Sequence, residues 1–159
     1  MVERKKGMKE RARILVVDDD ENIRSVLSTV LEEKGYEVDT ARNGREAIEK
    51  SKHHFYNLVL IDIRLPDMEG TLLLEELKET VPEMVKIILT GYPSLSNAIE
   101  AVNKGADRYL VKPVDPEVLD KVIKEHLKKQ EEARMFSEEK VAQFIETRAR
   151  QLGHIPRSH

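Results

Sequence analysis

What constrains this chain most is an alternation. Short runs rich in Val, Ile and Leu recur at 13–18 (RILVVD), 36–41 (YEVDTA), 57–62 (NLVLID), 85–91 (VKIILTG) and 107–113 (DRYLVKP). Each is followed by a helical pattern. ENIRSVLSTVLEEKG carries Ile23, Val26, Leu27, Val30 and Leu31 at helical spacing and stops at Gly35. NGREAIEKSKHH starts on Asn43, TLLLEELKETV stops before Pro82, SLSNAIEAVNKGA ends at Gly105, and PEVLDKVIKEHLKK has Pro116 at its first turn. The order is strand then helix, five times. Continuous apolar strands separated by helices predict an α/β fold: a doubly wound parallel sheet covered on both faces. Right-handed crossovers leave few topologies for it.

In such sheets the functional site lies outside the carboxyl ends of the strands, where the strand order reverses. The residues there are Asp18 and Asp19 after the first run, Asp62 after the third, Thr90 at the end of the fourth and Lys112 after the fifth. Each has a local explanation. Asp20 caps the first helix, its neighbours favour the same helix N-terminus, and Asp62, Thr90 and Lys112 are ordinary turn residues. The joint pattern is what local explanations miss. Two unit charges ~4 Å apart at an effective dielectric of ~20 repel by about 4 kcal/mol, so a carboxylate cluster needs a reason. A hard dication supplies one, and Mg²⁺ takes all-oxygen ligands. A carboxylate beside Mg²⁺ and an ammonium can attack a phosphoryl group, whose charge both cations stabilise.

ILVVDDDENIR, LVLIDIRLPDMEG, IILTGYPS and GADRYLVKPVD together resemble the receiver domain of two-component response regulators, CheY-like, over residues 13–129. The resemblance implies a flavodoxin-like (βα)5 sheet of strand order 2-1-3-4-5. It makes Asp62 the phosphoacceptor, fed by a phosphohistidine of a sensor histidine kinase. Asp19 then binds Mg²⁺ directly and Asp18 through water, with Asp62 and the backbone carbonyl of Arg64 as further ligands. Thr90 bonds the phosphoryl group, Lys112 pairs with it, and Tyr109 is the aromatic switch residue that turns inward with Thr90. Lys112–Pro113 carries the family's cis bond. The chain is then a switch and not an enzyme, catalysing only its own phosphorylation and dephosphorylation. Its downstream protein is met by the fourth helix, fifth strand and fifth helix, here Ser94–Lys104, Tyr109 and the helix from Pro116. Arg64 and Tyr92, two residues beyond Asp62 and Thr90, are both large, and a long-lived phosphoryl group is expected.

Composition excludes other classes. The 159 residues carry a net charge of −3, so there is no global basic signature for nucleic acid. There is no cysteine, hence no disulfide and no thiolate metal site. No apolar run reaches the ~18 residues a membrane span needs. A cytoplasmic protein is expected. Residues 1–12 read as a flexible basic arm, 13–129 as the receiver, 130–155 as a helical extension and 156–159 as a disordered, vector-derived tail. In the extension Val141, Ile145, Ala149 and Leu152 share a face, Ser137 with Glu138 and Glu139 reads as a helix start, and Gly153 ends it. With no Gly or Pro from Glu117 to Leu152, one long helix is the other reading. About thirty residues are too few for a DNA-binding output domain, and self-association into a homodimer is the expected use. A fragment of a longer regulator is the alternative. Two further readings are weaker. A non-phosphorylated interaction module fits poorly with the intact acidic set. An aspartyl-phosphate phosphatase leaves Asp62 unexplained. The five histidines lack ligand spacing and read as solvated surface.

Overall fold

A computed structural model describes residues 11–153. The strands are β1 (Arg13–Val17), β2 (Glu37–Ala41), β3 (Leu58–Ile61), β4 (Val85–Thr90) and β5 (Arg108–Val111). The helices are α1 (Glu21–Glu33), α2 (Gly44–His53), α3 (Gly70–Thr80), α4 (Leu95–Asn103) and α5 (Pro116–Leu152). The strands form one parallel sheet in the order β2-β1-β3-β4-β5, as expected. The reversal of order falls at β1, where β2 lies on one side and β3 on the other.

Alternation along each strand splits the core in two. Leu15, Val17, Val59, Ile61 and Ile88 face one way, packed with Leu73, Leu74, Leu77 and Ala101 of α3 and α4. Ile14, Val16, Leu58, Leu60 and Ile87 face the other, packed with Leu31 of α1 and Leu119, Val122 and Ile123 of α5. Burial of both strand faces explains why the runs read as continuously apolar and not as alternating. The apolar stripe of α1 is narrower than its sequence suggests: Val26 is exposed.

Caps behave as the sequence predicts in several places. Asp20 Oδ1 accepts from the backbone N–H groups of Asn22 and Ile23 at 2.8 and 3.2 Å. Asn43 caps α2 and Ser94 caps α4. Gly35 and Gly105 leave their helices at positive φ, where a side chain is strained.

The C-terminal region settles on the long-helix reading. α5 runs 37 residues without a break, so Ser137 is a mid-helix residue and not a cap. The Arg134–Glu138 pair spans that point, and Glu138, Glu139 and Lys140 after it are good helix formers. Gly153, at φ 69°, closes the helix. Most of the basic arm and all of 156–159 lie outside the described residues. Among the histidines, His53 pairs with Glu49 at 3.0 Å. His126 departs from the solvated reading, for its Nε2 is buried without a partner.

Candidate functional site

The topology brings the strand-end residues together. β1 and β3 are neighbours with Val17 opposite Ile61, so the next residues, Asp18 and Asp62, emerge side by side. The ladder continues one step beyond the strands: Asp62 N–H donates to Val17 O at 3.0 Å and Asp18 N–H to Ala41 O at 3.1 Å. β4 and β5 pair with Thr90 opposite Val111, which places Lys112 just past the same edge.

The carboxylates of Asp18, Asp19 and Asp62 each offer an oxygen within 4.8 Å of the others. Lys112 Nζ lies 2.6 Å from Asp18 Oδ2 and 3.3 Å from Asp62 Oδ2. Asp18 and Asp62 are buried, at 3% and 7% exposure, and Asp19 is open to solvent. Asp18 is further fixed by the Asp20 N–H, which donates to its Oδ1 at 2.9 Å. Thr90 is fully buried, its Oγ1 accepting from Tyr92 N–H at 3.0 Å. The Lys112–Pro113 bond is cis.

Electrostatics set the character of Asp62. Burial raises the pKa of Asp62, and the negative charge of Asp18 adds to this. Lys112 and the Arg64 N–H, which donates to Asp62 Oδ1 at 3.2 Å, oppose it without prevailing. Burial alone depresses the ammonium of Lys112, but the hydrogen bond to Asp18 and the charges of Asp18 and Asp62 outweigh it, and its pKa is raised. Three carboxylates against one ammonium leave a net charge of two negatives in an all-oxygen donor set. That composition fits a hard dication better than a soft metal.

The loops over the site are held by residues that motif reading passed over. A Cβ on Gly70 comes within 2.5 Å of Asp62 O and 2.8 Å of Ile63 Cα, so only glycine lets α3 start this close to the loop after β3. Asp67 accepts from Gly44 N–H and Arg45 N–H, both at 2.9 Å, tying that loop to the start of α2. The sequence marks both only as members of a polar loop. The Arg64 guanidinium lies 4.1 Å from the centre of the Tyr92 ring, joining the loops after β3 and β4. A groove of about 920 Å³ lies elsewhere, at the opposite edge of the sheet, between α5 and the loops before β3 and β4.

Comparison with known proteins agrees with this geometry. The chain matches the response regulator receiver domain family over residues 14–124. It is similar to a CheY-like receiver domain protein from Methanospirillum hungatei JF-1 in its crystal structure, with 48% identity, a TM-score of 0.76, and coverage of 78% of this chain and 99% of that one. It is similar to the beryllofluoride-activated NtrC4 receiver domain dimer, with 41% identity, a TM-score of 0.71, and coverage of 74% and 98%. It is 41% identical over 118 residues to the transcriptional regulatory protein ZraR of Klebsiella oxytoca, covering 74% of this chain and 27% of that protein. The chain thus spans about a quarter of the length of that curated relative. Fold, strand order, family match and relatives converge: the chain belongs to the response regulator receiver domain family of two-component signalling.

Proposed function

We propose that this chain is a phosphorylation-controlled switch whose acceptor is Asp62. The observation that carries the reading is the buried Asp62 carboxylate held between Lys112 and Asp18. An Asp62 oxygen attacks the phosphorus of a phosphohistidine on a sensor kinase. The O–P bond forms, the P–N bond breaks, and its electron pair stays on the imidazole. A carboxylate made more basic by burial is a better nucleophile. It needs no general base, for it carries no proton to remove. Lys112 neutralises charge on the phosphoryl oxygens in transit, and Thr90 donates its hydroxyl to the product. Asp18, Asp19, Asp62 and the Arg64 carbonyl would hold Mg²⁺, which when bound adds a second positive charge against the phosphoryl oxygens.

Phosphorylated Asp62 carries more negative charge and new acceptors. Thr90 turns toward them, Tyr109 turns inward, and the two states of the α4–β5–α5 face change in population. That face already exposes Leu95, Ile99, Val102, Val111 and Val118, the apolar surface a downstream protein or a second copy would cover. A homodimer is the favoured assembly, in line with the dimeric NtrC4 receiver. Among the described residues no helix is long and apolar enough to cross a membrane. Cytoplasmic action, apart from membrane and nucleic acid, is the setting this reading supports, and catalysis is confined to the chain's own phosphoryl group.

Intact-mass measurement after incubation with Mg²⁺ and acetyl phosphate tests the reading. One phosphoryl group is gained by the unmodified chain and none by Asp62→Asn or in EDTA. No gain by the unmodified chain, or an undiminished gain by Asp62→Asn, overturns it.

A further inference from the structure

One side chain joins the two halves of the switch. Asn97 is the third residue of α4 and completes a capping box: its backbone N–H donates to Ser94 Oγ at 3.0 Å, and its Oδ1 accepts from Ser94 N–H at 3.2 Å. The same amide does more than a cap requires. Its Nδ2 donates to Tyr92 O at 3.1 Å, and its Oδ1 accepts from the Tyr109 hydroxyl at 2.5 Å. The amide's orientation is forced by chemistry. Ser94 N–H can only donate and Tyr92 O can only accept, so a flipped amide sets like against like on both sides. Tyr109 must therefore be the donor. Tyr92 N–H in turn donates to Thr90 Oγ1 at 3.0 Å. An unbroken series of contacts runs from the Thr90 hydroxyl through the Tyr92 backbone and the Asn97 amide to the Tyr109 ring.

We infer that Asn97 is a positioning residue that latches Tyr109 in its resting, half-buried place and ties its release to the movement of Thr90. This rests on the reading of Thr90 and Tyr109 as the switch. The α4 cap needs only Ser94 and Asn97. Tyr109 stands on β5, twelve residues away, and its hydroxyl contributes nothing to the start of that helix. The ring cannot swing while its hydroxyl is engaged. When Thr90 turns its hydroxyl toward a phosphoryl oxygen, Tyr92 N–H is left to find another acceptor. The Tyr92 peptide is then free to shift, and the hold of its carbonyl on the Asn97 amide loosens. The coupling is reciprocal: a latched Tyr109 also disfavours the moved Thr90.

The experiment uses the whole chain carrying 3-fluorotyrosine, with the Tyr109 ¹⁹F signal identified by its loss in Tyr109→Phe. Beryllofluoride with Mg²⁺ at saturation defines the activated position. Asn97→Ala removes the latch. Without beryllofluoride it moves the resting Tyr109 equilibrium toward the activated position roughly threefold to tenfold, the worth of one net hydrogen bond. Asn97→Asp gives up the donor to Tyr92 O but keeps an acceptor for both Ser94 N–H and Tyr109, now charged and so the stronger partner for the Tyr109 hydroxyl. It holds Tyr109 more firmly and moves the resting equilibrium the other way. A merely structural role does not give opposite signs. If both variants move Tyr109 the same way, or neither moves it, the latch is overturned while the switch stands. If beryllofluoride fails to move Tyr109 in the unmodified chain, the switch reading falls and the latch with it.

Discussion

At the carboxyl edge of the sheet three carboxylates share one ammonium; at the amino edge one buried ammonium is shared among backbone carbonyls. Lys112 answers Asp18 and Asp62 and leaves negative charge in excess. Lys86, 2% exposed, donates to Val81 O at 3.0 Å and Met84 O at 2.8 Å, with a longer contact of 3.5 Å to Pro82 O. Burial lowers the pKa of Lys86 despite nearby Asp107 and Glu83, so its charge is retained at a cost that those carbonyls offset. Beside it, Lys86 N–H donates to Asp107 Oδ2, and Gln130 Nε2 donates to both Asn57 O and Glu83 O. One edge keeps polar groups that seek a partner from outside. The other uses polar groups to close the fold on itself. Substitutions at the first should change chemistry more than stability, and at the second the reverse.

The largest stability effect is expected at the amino edge. Lys86→Met fits the cavity but strips one side of a buried polar cluster, leaving carbonyls without a donor. Each buried carbonyl left without a donor costs about 1–3 kcal/mol, and relief of the buried charge offsets part of this, so a net cost of about 2–3 kcal/mol is expected. For a chain of this size that is roughly 5–10 °C in Tm. Thermal unfolding measures it, and phosphoryl gain from acetyl phosphate below the transition should be unchanged. A loss of phosphorylation in a folded Lys86→Met chain breaks the division between the edges.

At the carboxyl edge the sign reverses. The folded pKa of Asp62 is raised, so the native state holds its proton more tightly than the unfolded chain does. Stability from this group therefore falls as pH rises through the window between its unfolded value of ~3.9 and its raised folded value. Asp62→Asn removes that loss. In EDTA it should be more stable than the unmodified chain near neutral pH, with the advantage shrinking as pH falls toward ~3.9. Urea unfolding across that range is the check, and equal midpoints at pH 7 count against an acceptor held at a stability cost.

A smaller effect concerns the Arg64–Tyr92 pair beside the acceptor. On the proposed function, the stacked guanidinium and ring would limit the approach of water to a phosphoryl group on Asp62. Arg64→Ala and Tyr92→Ala should each speed its hydrolysis about threefold to tenfold, a change on the order of 1 kcal/mol in the barrier. Phosphate release after removal of the donor reads this directly, and unchanged decay in both variants removes the pair from the chemistry.

Much of this was legible because it is local. The run LVLID ends in Asp where β3 ends, and Asp20 caps because a carboxylate one residue before Glu21 can reach the next N–H groups. Strand order followed from the resemblance and convergence at one edge from parallel topology, so the meeting of Asp18, Asp19, Asp62 and Lys112 was readable. What was not readable depends on partners distant in sequence. Lys86 stands inside the run VKIILT and looks like a solvent-facing residue until the carbonyls after α3 surround it. Asn97 looks like a cap until β5 brings Tyr109 to it. Ser137 carries the same local signal as a true cap, and only the unbroken hydrogen bonding of α5 decides against it.

The least costly change tests where the receiver ends along α5. The first part of that helix is buried through Leu119, Val122 and Ile123 and tied by Tyr36 to Asp120 and by Lys34 to Glu117. The later part exposes Met135, Phe136, Val141, Phe144, Ile145 and Leu152. Propensity is similar in both, so packing is what distinguishes them. Gln130 sits where one gives way to the other and grips the starts of β3 and β4. From there the helix continues for 22 residues, on the order of 33 Å. Gln130→Ala should lower overall stability by no more than about 1 kcal/mol, because half-exposed hydrogen bonds are replaced by water. Amide exchange should nevertheless quicken from residue 127 onward while the amides around Leu119–Ile123 keep their protection. If exchange quickens equally in both parts, α5 is one cooperative unit and the clasp is incidental. If only the later part responds, the amino edge anchors one end of the extension and leaves the other free, as the proposed function has the carboxyl edge hold a phosphoryl group.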